Sequence, residues 1–168
     1  MKYRRLTQEE LNDLETEFVR FLASNQVTAS DWERLKAENR DKVEGLIEIF
    51  SDLIYEDILG KVEYMVRRHP RDLRAFKFVE DKILLIGLVN NGNDFGPPEV
   101  DFTKSKTPDE LMIAMRRSND EIRLYAAERK YRKDRKLEAL ELMEDDATIS
   151  KDGAMYKLLH TLRASQLN

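Results

Sequence analysis

The residues from Ser118 to Ala147, SNDEIRLYAAERKYRKDRKLEALELMEDDA, form the longest stretch of the chain with one evident pattern. Ser118-Asn-Asp-Glu121 has the form of a capping box, in which a serine hydroxyl and a glutamate carboxylate each satisfy a free backbone N–H at a helix start. Apolar residues then recur at helical spacing as far as Met143. The stretch predicts one long charged helix of about eight turns, beside which most of the chain packs.

The middle of this stretch is the basic block Arg129–Lys136, RKYRKDRK. On a helical projection its cations interrupt the apolar stripe, so three interpretations stay open. In the first, the block stands in water or pairs with carboxylates of the acidic N-terminal third. In the second, it binds a protein partner or a second copy of the chain. In the third, it neutralises nucleic-acid phosphates. The block contains one aromatic residue, Tyr131, whereas proteins that bind single-stranded nucleic acid usually interleave several aromatic residues with their cations.

A second basic cluster lies around the turn His69-Pro-Arg-Asp72. Nucleic-acid binding would gain support if both clusters shared one face, because a patch is the footprint of a phosphate-binding surface. The candidate binding residues are therefore Arg67, Arg68, Arg71, Arg74, Arg129, Lys130, Tyr131, Arg132, Lys133, Arg135 and Lys136.

Length and composition indicate a globular protein. The 168 residues are 41% apolar and 37% charged, with a net charge of −4 and no cysteine. We expect a single domain over residues 1–168, with a possible helical extension at 118–147. Disulfides, thiol catalysis and cysteine-ligated zinc are excluded, which fits a cytoplasmic setting. No secretion signal or membrane-spanning stretch is predicted, so no membrane partner is expected.

Charge is unevenly distributed along the chain. Residues 1–60 hold 8 basic and 14 acidic residues, whereas residues 107–168 hold 12 of each. An acidic first third beside a local basic block suggests internal complementarity as readily as an external partner.

Capping boxes and apolar spacing predict three N-terminal helices. The first follows Thr7 and ends near Ala23, the second follows Thr28 and carries Trp32 into the core, and the third runs from Asp41 to about Leu59. Four carboxylates spaced by four on the third helix fall opposite its apolar stripe, where we expect them to face water: Glu44, Glu48, Asp52 and Glu56.

After Gly60 the pattern changes to alternation, which predicts strands at 62–66, 73–79 and 82–89, although helix could persist to Arg68. The turn formers of Asn90–Pro98 predict a surface loop, and Val100 and Phe102 could add a fourth short strand. Two further helices are predicted after Thr107 and Ser150. The fold class is therefore α+β: helices, a small antiparallel sheet of three or four strands, and helices again.

Motifs for catalysis are missing. The chain has two histidines and neither a phosphate-binding glycine loop nor a dinucleotide fingerprint. We assign no catalytic residue, cofactor or metal ligand. A third possibility is an enzyme that uses His69 and nearby arginines on an anionic substrate.

Three segments together resemble a known family: MKYRRL at residues 1–6, IEIFSD at 47–52 and ISKDGAM at 149–155. They are similar to a family of small bacterial proteins classed only as a domain of unknown function. The resemblance covers most of the chain, with residues 90–106 least matched, and implies a bacterial cytoplasmic protein without an assigned activity or site.

These observations leave the function unknown and favour a non-enzymatic interaction or structural module that acts, or self-associates, through the long charged helix. The alternative is a nucleic-acid or ribosome-associated binding protein that uses the basic block 129–136 and the arginines of 67–74.

Overall fold

The computed structural model describes residues 1–166 of the chain, which divides into two compact units at Gly60. The helical unit spans Met1–Gly60, and the sheet unit begins at Lys61. Each unit is described by itself below. The expectation of a single domain over the whole chain stays a prediction.

The helical unit contains α1 (Gln8–Asp13), α2 (Glu15–Ser24), α3 (Ala29–Glu38) and α4 (Arg40–Gly60). The capping boxes predicted at Thr7 and Thr28 are confirmed, since each threonine side chain accepts from the backbone N–H three residues on. Trp32 packs edge-on against Phe18, with 5.2 Å between ring centroids, and Phe18 lies 4.9 Å from Phe50. An aromatic cluster therefore forms the centre of this unit.

The N-terminal segment covers the acidic side of α4. The backbone N–H of Lys2 and that of Tyr3 donate to Asp52, at 2.6 and 2.9 Å, and Arg5 pairs with Glu44 at 2.8 Å. The prediction that these carboxylates face water is therefore wrong for Asp52, whereas Glu44 keeps 40% of its side chain exposed. A helical projection shows only the helix itself, and the segment that binds this stripe precedes it by some 50 residues in the sequence.

The sheet unit is a five-stranded antiparallel sheet in the order β4-β3-β2-β1-β5. Its elements are β1 (Tyr64–His69), β2 (Asp72–Phe78), β3 (Lys82–Asn90), α5 (Pro108–Arg117), β4 (Ile122–Lys130), α6 (Arg135–Glu144), β5 (Thr148–Ile149) and α7 (Ala154–Gln166). The α+β class and the three predicted strands are confirmed. The sheet has five strands where three or four were expected.

One face of the sheet packs on α5 and α7, and we call it the α7 face. Its core consists of alternate strand residues and of residues from both helices: Val66, Leu73, Ala75, Ile86, Leu88, Leu111 and Leu159. Phe102 is fully buried there and its N–H donates to Pro70 O at 3.1 Å, but Val100 and Phe102 form no strand. The opposite side, on which α6 lies, we call the α6 face.

The prediction of one long helix over 118–147 is wrong. Ser118 ends α5 instead of starting a helix, because its N–H bonds to Met115 O at 3.3 Å. Residues 122–130 form β4, which pairs with β3 over nine residue pairs, and a separate helix starts after Asp134. Pairing with β3 outweighs the helical spacing of the apolar residues, since tertiary contacts override local preference.

Asp120 fixes the start of β4. Its Oδ2 accepts from the N–H groups of Glu99 and Val100 and from the side chain of Asn90, each at 2.8 Å. Desolvation raises the pKa of this carboxyl, but these hydrogen bonds and one from Asn93 outweigh it and hold the pKa at about 2. The loop after β3 is thereby tied to the first residues of β4.

Candidate functional site

β4 forms one edge of the sheet. It pairs with β3 from Ile122 opposite Asn90 to Lys130 opposite Lys82, and within residues 1–166 no strand pairs with its other side. The edge is therefore nine residues long. An edge strand of this length presents a row of free backbone donors and acceptors.

The hydrogen bonds next to β4 show which of its backbone groups point outward. Asn91 N donates to Glu121 O at 2.9 Å, and Tyr131 N donates to Asp81 O at 3.3 Å. Because inward and outward groups alternate along an antiparallel strand, the odd-numbered residues of β4 bond to β3. The even-numbered residues direct their N–H and C=O groups away from the sheet: Ile122, Leu124, Ala126, Glu128 and Lys130.

The middle of this edge is open on both faces of the sheet. Ala126 and Ala127 carry the smallest side chains of β4, and both are exposed, as is Glu128. Side chains alternate between the faces, so Ala126 lies on the α7 face and Ala127 on the α6 face. Small residues at these two positions leave room beside the strand in both directions.

A groove of about 310 Å³ lies beside β4 on the α7 face. Leu84 and Ala126 line it from the sheet, and Tyr156, His160 and Arg163 line it from α7. The Tyr156 and His160 rings stack with 6.2 Å between centroids, and burial raises the pKa of the Tyr156 phenol. His160 and Arg163 are both exposed, and Arg163 contributes a positive charge to the α7 side of this groove.

A second groove, of about 160 Å³, lies beside β4 on the α6 face. Its walls are mainly apolar, with Phe76, Ile83 and Leu85 from the sheet, Ala127 from β4 and Leu142 from α6. The two grooves flank the same pair of alanines and differ in character. The groove on the α6 face is mainly apolar, with Glu128 and Arg129 also in its lining. The groove on the α7 face has Arg163, His160 and Glu128 in its lining.

Glu138 organises the basic block. It is 1% exposed, and its carboxylate accepts from Arg129 Nη2 at 2.6 Å and from the N–H groups of Arg132 and Lys133 at 2.6 and 3.1 Å. The hydrogen bond from Arg129 is the largest cause that holds the pKa of Glu138 at about 2, against the effect of burial. The turn between β4 and α6 therefore closes around one buried carboxylate.

Several other residues of the block also have contacts within the sheet unit. Tyr131 donates to Val79 O at 2.6 Å, Lys133 pairs with Glu141 at 3.2 Å, and Arg135 donates to Val62 O at 2.5 Å. Lys130 and Arg132 are exposed, and Lys136 lies in the first turn of α6. As an external binding surface, the block stays a prediction.

The four turn arginines do not form one cluster. Arg67 and Arg74 are opposite each other in β1 and β2 on the α6 face, where Arg74 Nε donates to Asp72 at 2.8 Å. Arg68 points to the other face and donates to the carbonyls of Ser105 and Lys106 at 3.4 and 3.2 Å. Arg71 Nε donates to Asn90 O at 2.9 Å.

The structure brings Arg67 and Arg74 onto the same face as Arg129, as a shared binding surface would require. Register places Arg67, Arg74 and Tyr125 in one row across the sheet, and Arg129 is four residues further along β4. That spacing is about 13 Å. Arg129 and Arg74 each have a carboxylate partner there, Glu138 and Asp72, which reduces the charge they offer to an external anion.

Sequence reasoning missed the grooves beside β4. Ala126, Ala127, Leu142, His160 and Arg163 belong to no motif that would indicate a binding site. The alternation of Ile122 and Leu124 with Arg123 and Tyr125 is the one local signal of a strand, and it competes with an equally good helical spacing.

Among residues 1–166, no group of three or more histidine, aspartate or glutamate side chains is placed to hold a metal ion. No helix in that part of the chain is long and apolar enough to cross a membrane.

Fold and site together define an α+β protein with an open sheet edge between two grooves. The chain belongs to the family described as Family of unknown function (DUF6495), whose model matches residues 1–164. This match confirms the resemblance to a family without an assigned activity. No curated protein and no solved structure matches the chain.

Proposed function

We propose that this protein is a non-enzymatic interaction module that binds an extended segment of a partner protein along β4. The segment adds a sixth strand to the sheet, antiparallel or parallel to β4. In this mode of recognition the main-chain hydrogen bonds supply affinity, and pockets beside the edge select side chains. The long helix that the sequence suggested for this role does not exist, and the same residues offer an edge strand instead.

The observation that carries the proposal is the exposure of the β4 edge. Residues 126–130 are all exposed, and the outward backbone groups of Ala126 and Glu128 have no neighbouring strand within residues 1–166. Charged side chains at Glu128, Arg129 and Lys130 disfavour unselective pairing of such an edge. They leave the alanines at its centre as the most accessible place for a partner.

A displayed library of random peptides tests the proposal. Selection on the native protein is followed by binding to two variants, Ala126→Pro and Ala126→Ser. Proline removes the outward N–H of the central edge residue, and an edge position tolerates it because no ladder bond is lost. Serine keeps the N–H and is the matched control.

We expect peptides that bind the native protein and the serine variant alike and lose about tenfold in affinity on the proline variant. A thermal melt of each variant verifies that it is folded. Peptides that bind the folded proline variant as tightly as the native protein would overturn the proposal. So would a selection that yields no peptide sensitive to proline at this position.

A further inference from the structure

The two grooves beside β4 differ in character, and an added strand would place consecutive side chains in them. A residue opposite Ala126 directs its side chain to the α7 face, because paired residues in neighbouring strands point to the same side. The residue beside it in the sequence lies opposite Ala127 and points to the α6 face. One dipeptide of the partner therefore samples both grooves.

The groove on the α7 face favours an anionic side chain. Arg163 and His160 face it from α7, and Arg163 has no ion pair within residues 1–166. Glu128 also lines this groove, but Lys82 Nζ lies 3.1 Å from its carboxylate and offsets its charge. A carboxylate beside Ala126 would meet a local excess of positive charge.

The groove on the α6 face favours an apolar side chain. Phe76 and Ile83 in its lining are almost fully buried, with 7% and 4% of their surfaces exposed, and Leu142 of α6 also lines it. Arg129 lines it as well, but its guanidinium is paired with the buried carboxylate of Glu138. Its volume of about 160 Å³ accepts one aliphatic side chain of moderate size. Burial of such a side chain is favourable because it removes apolar surface from water, and an unpaired carboxylate there would lose hydration.

Resting on the proposed function, we infer that the partner segment carries an acidic residue next to an apolar residue, the first beside His160 and Arg163 and the second beside Leu142. This pattern selects a class of extended protein segments. It distinguishes them from basic or uniformly apolar strands, which would fit only one groove.

Peptides selected from the same library test the inference through two charge-changing variants. Arg163→Glu should lower the affinity of acidic peptides about tenfold, because reversal removes one attraction and adds a repulsion of similar size. A new selection on this variant should favour a basic residue at the same peptide position. Leu142→Lys should instead remove the apolar preference and leave the acidic one.

The matched control is Arg117→Glu, which reverses an exposed arginine of α5 outside both grooves and should leave peptide affinity unchanged. Peptides that depend on the N–H of Ala126 but show no acidic and apolar pair would overturn the inference and leave the proposed function intact. A preference for acidic peptides that Arg163→Glu does not alter would also overturn the inference and leave the proposed function intact. If the purified protein forms dimers that Ala126→Pro abolishes, the inference is overturned, because the strand that pairs with β4 then belongs to a second copy of this chain.

Discussion

The two edges of the sheet differ in the length of backbone that they expose. β5 has two residues, Thr148 and Ile149, which pair with Val66 and Met65 of β1. β4 has nine residues and is flanked by a groove on each face. A two-residue edge offers few free groups to another chain, whereas a nine-residue edge offers a template. An exposed strand edge promotes aggregation unless it is protected or binds a partner. The longer edge is therefore the better candidate for a binding surface.

Proline substitution in adjacent residues of β4 gives the largest expected contrast. Ala127→Pro removes an N–H that bonds to β3 and leaves the facing carbonyl unpaired, so it should lower the free energy of unfolding by about 2–4 kcal/mol, from the lost bond and backbone strain together. Ala126→Pro removes an outward N–H and should cost about 1 kcal/mol, from backbone strain alone. Urea denaturation of both variants measures the difference. Equal losses would mean that the two N–H groups do not point in opposite directions.

The buried carboxylate of Glu138, on α6, predicts that the stability of the protein falls in acid. Its pKa is about 2 in the folded protein against a usual value of 4.5, so its stabilising effect is complete above about pH 5. As the pH falls from 5 toward 2, the unfolded chain takes up the proton first, and about 3 kcal/mol of stability is lost. Glu138→Gln should remove this part of the pH dependence in denaturation curves.

The control for this acid dependence is Glu141→Gln, on the same helix. Glu141 pairs with Lys133 at the surface, with 48% of its side chain exposed, so its loss should cost at most about 1 kcal/mol. A Glu138→Gln protein whose stability falls with acid as steeply as that of the native protein would show that this carboxylate does not anchor the turn.

The close approach of β3 and β4 is tested at Gly87. A Cβ on this residue would lie 2.3 Å from the ring of Tyr125, whose hydroxyl donates to Asp72 at 2.8 Å. Gly87→Ala should therefore displace the ring and lower the free energy of unfolding by about 2 kcal/mol. Gly45→Ala on α4, where a Cβ meets no atom within 4 Å, should be neutral or slightly stabilising. Similar denaturation midpoints for the two variants would contradict this packing.

The short edge gives the smallest expected effect. Thr148 Oγ1 donates to Val66 O at 3.3 Å, and Thr148→Ala should cost about 0.5–1 kcal/mol. Library-selected peptides should bind this variant with unchanged affinity in a calorimetric titration. A loss of peptide binding comparable to that of Ala126→Pro would move the binding surface to the β5 edge.

Local signals in the sequence predicted the parts of the fold that depend on neighbouring residues. The capping boxes at Thr7, Thr28 and Thr107 are present, and the strands β2 and β3 lie where alternation placed them. These features need only residues a few positions apart. The family resemblance was also evident from short segments of the sequence.

The candidate site depends on contacts between distant parts of the chain. Ile122 to Lys130 fit a helix and a strand equally well, and pairing with Lys82 to Asn90 decides between them. The groove on the α7 face joins Ala126 to Arg163, which are separated by α6 and β5 in the sequence. Charge patterning identified the basic block but could not show that Glu138 organises it from within.

Amide hydrogen exchange of β4, followed by nuclear magnetic resonance with a library-selected peptide bound, tests the central claim most directly. In the free protein the N–H groups of Tyr125 and Ala127 should already be protected by β3, and those of Leu124, Ala126 and Glu128 should exchange quickly. Binding should slow exchange at these three residues and leave the other two little changed. Protection that arises elsewhere, while Leu124, Ala126 and Glu128 exchange as before, would contradict strand addition at this edge.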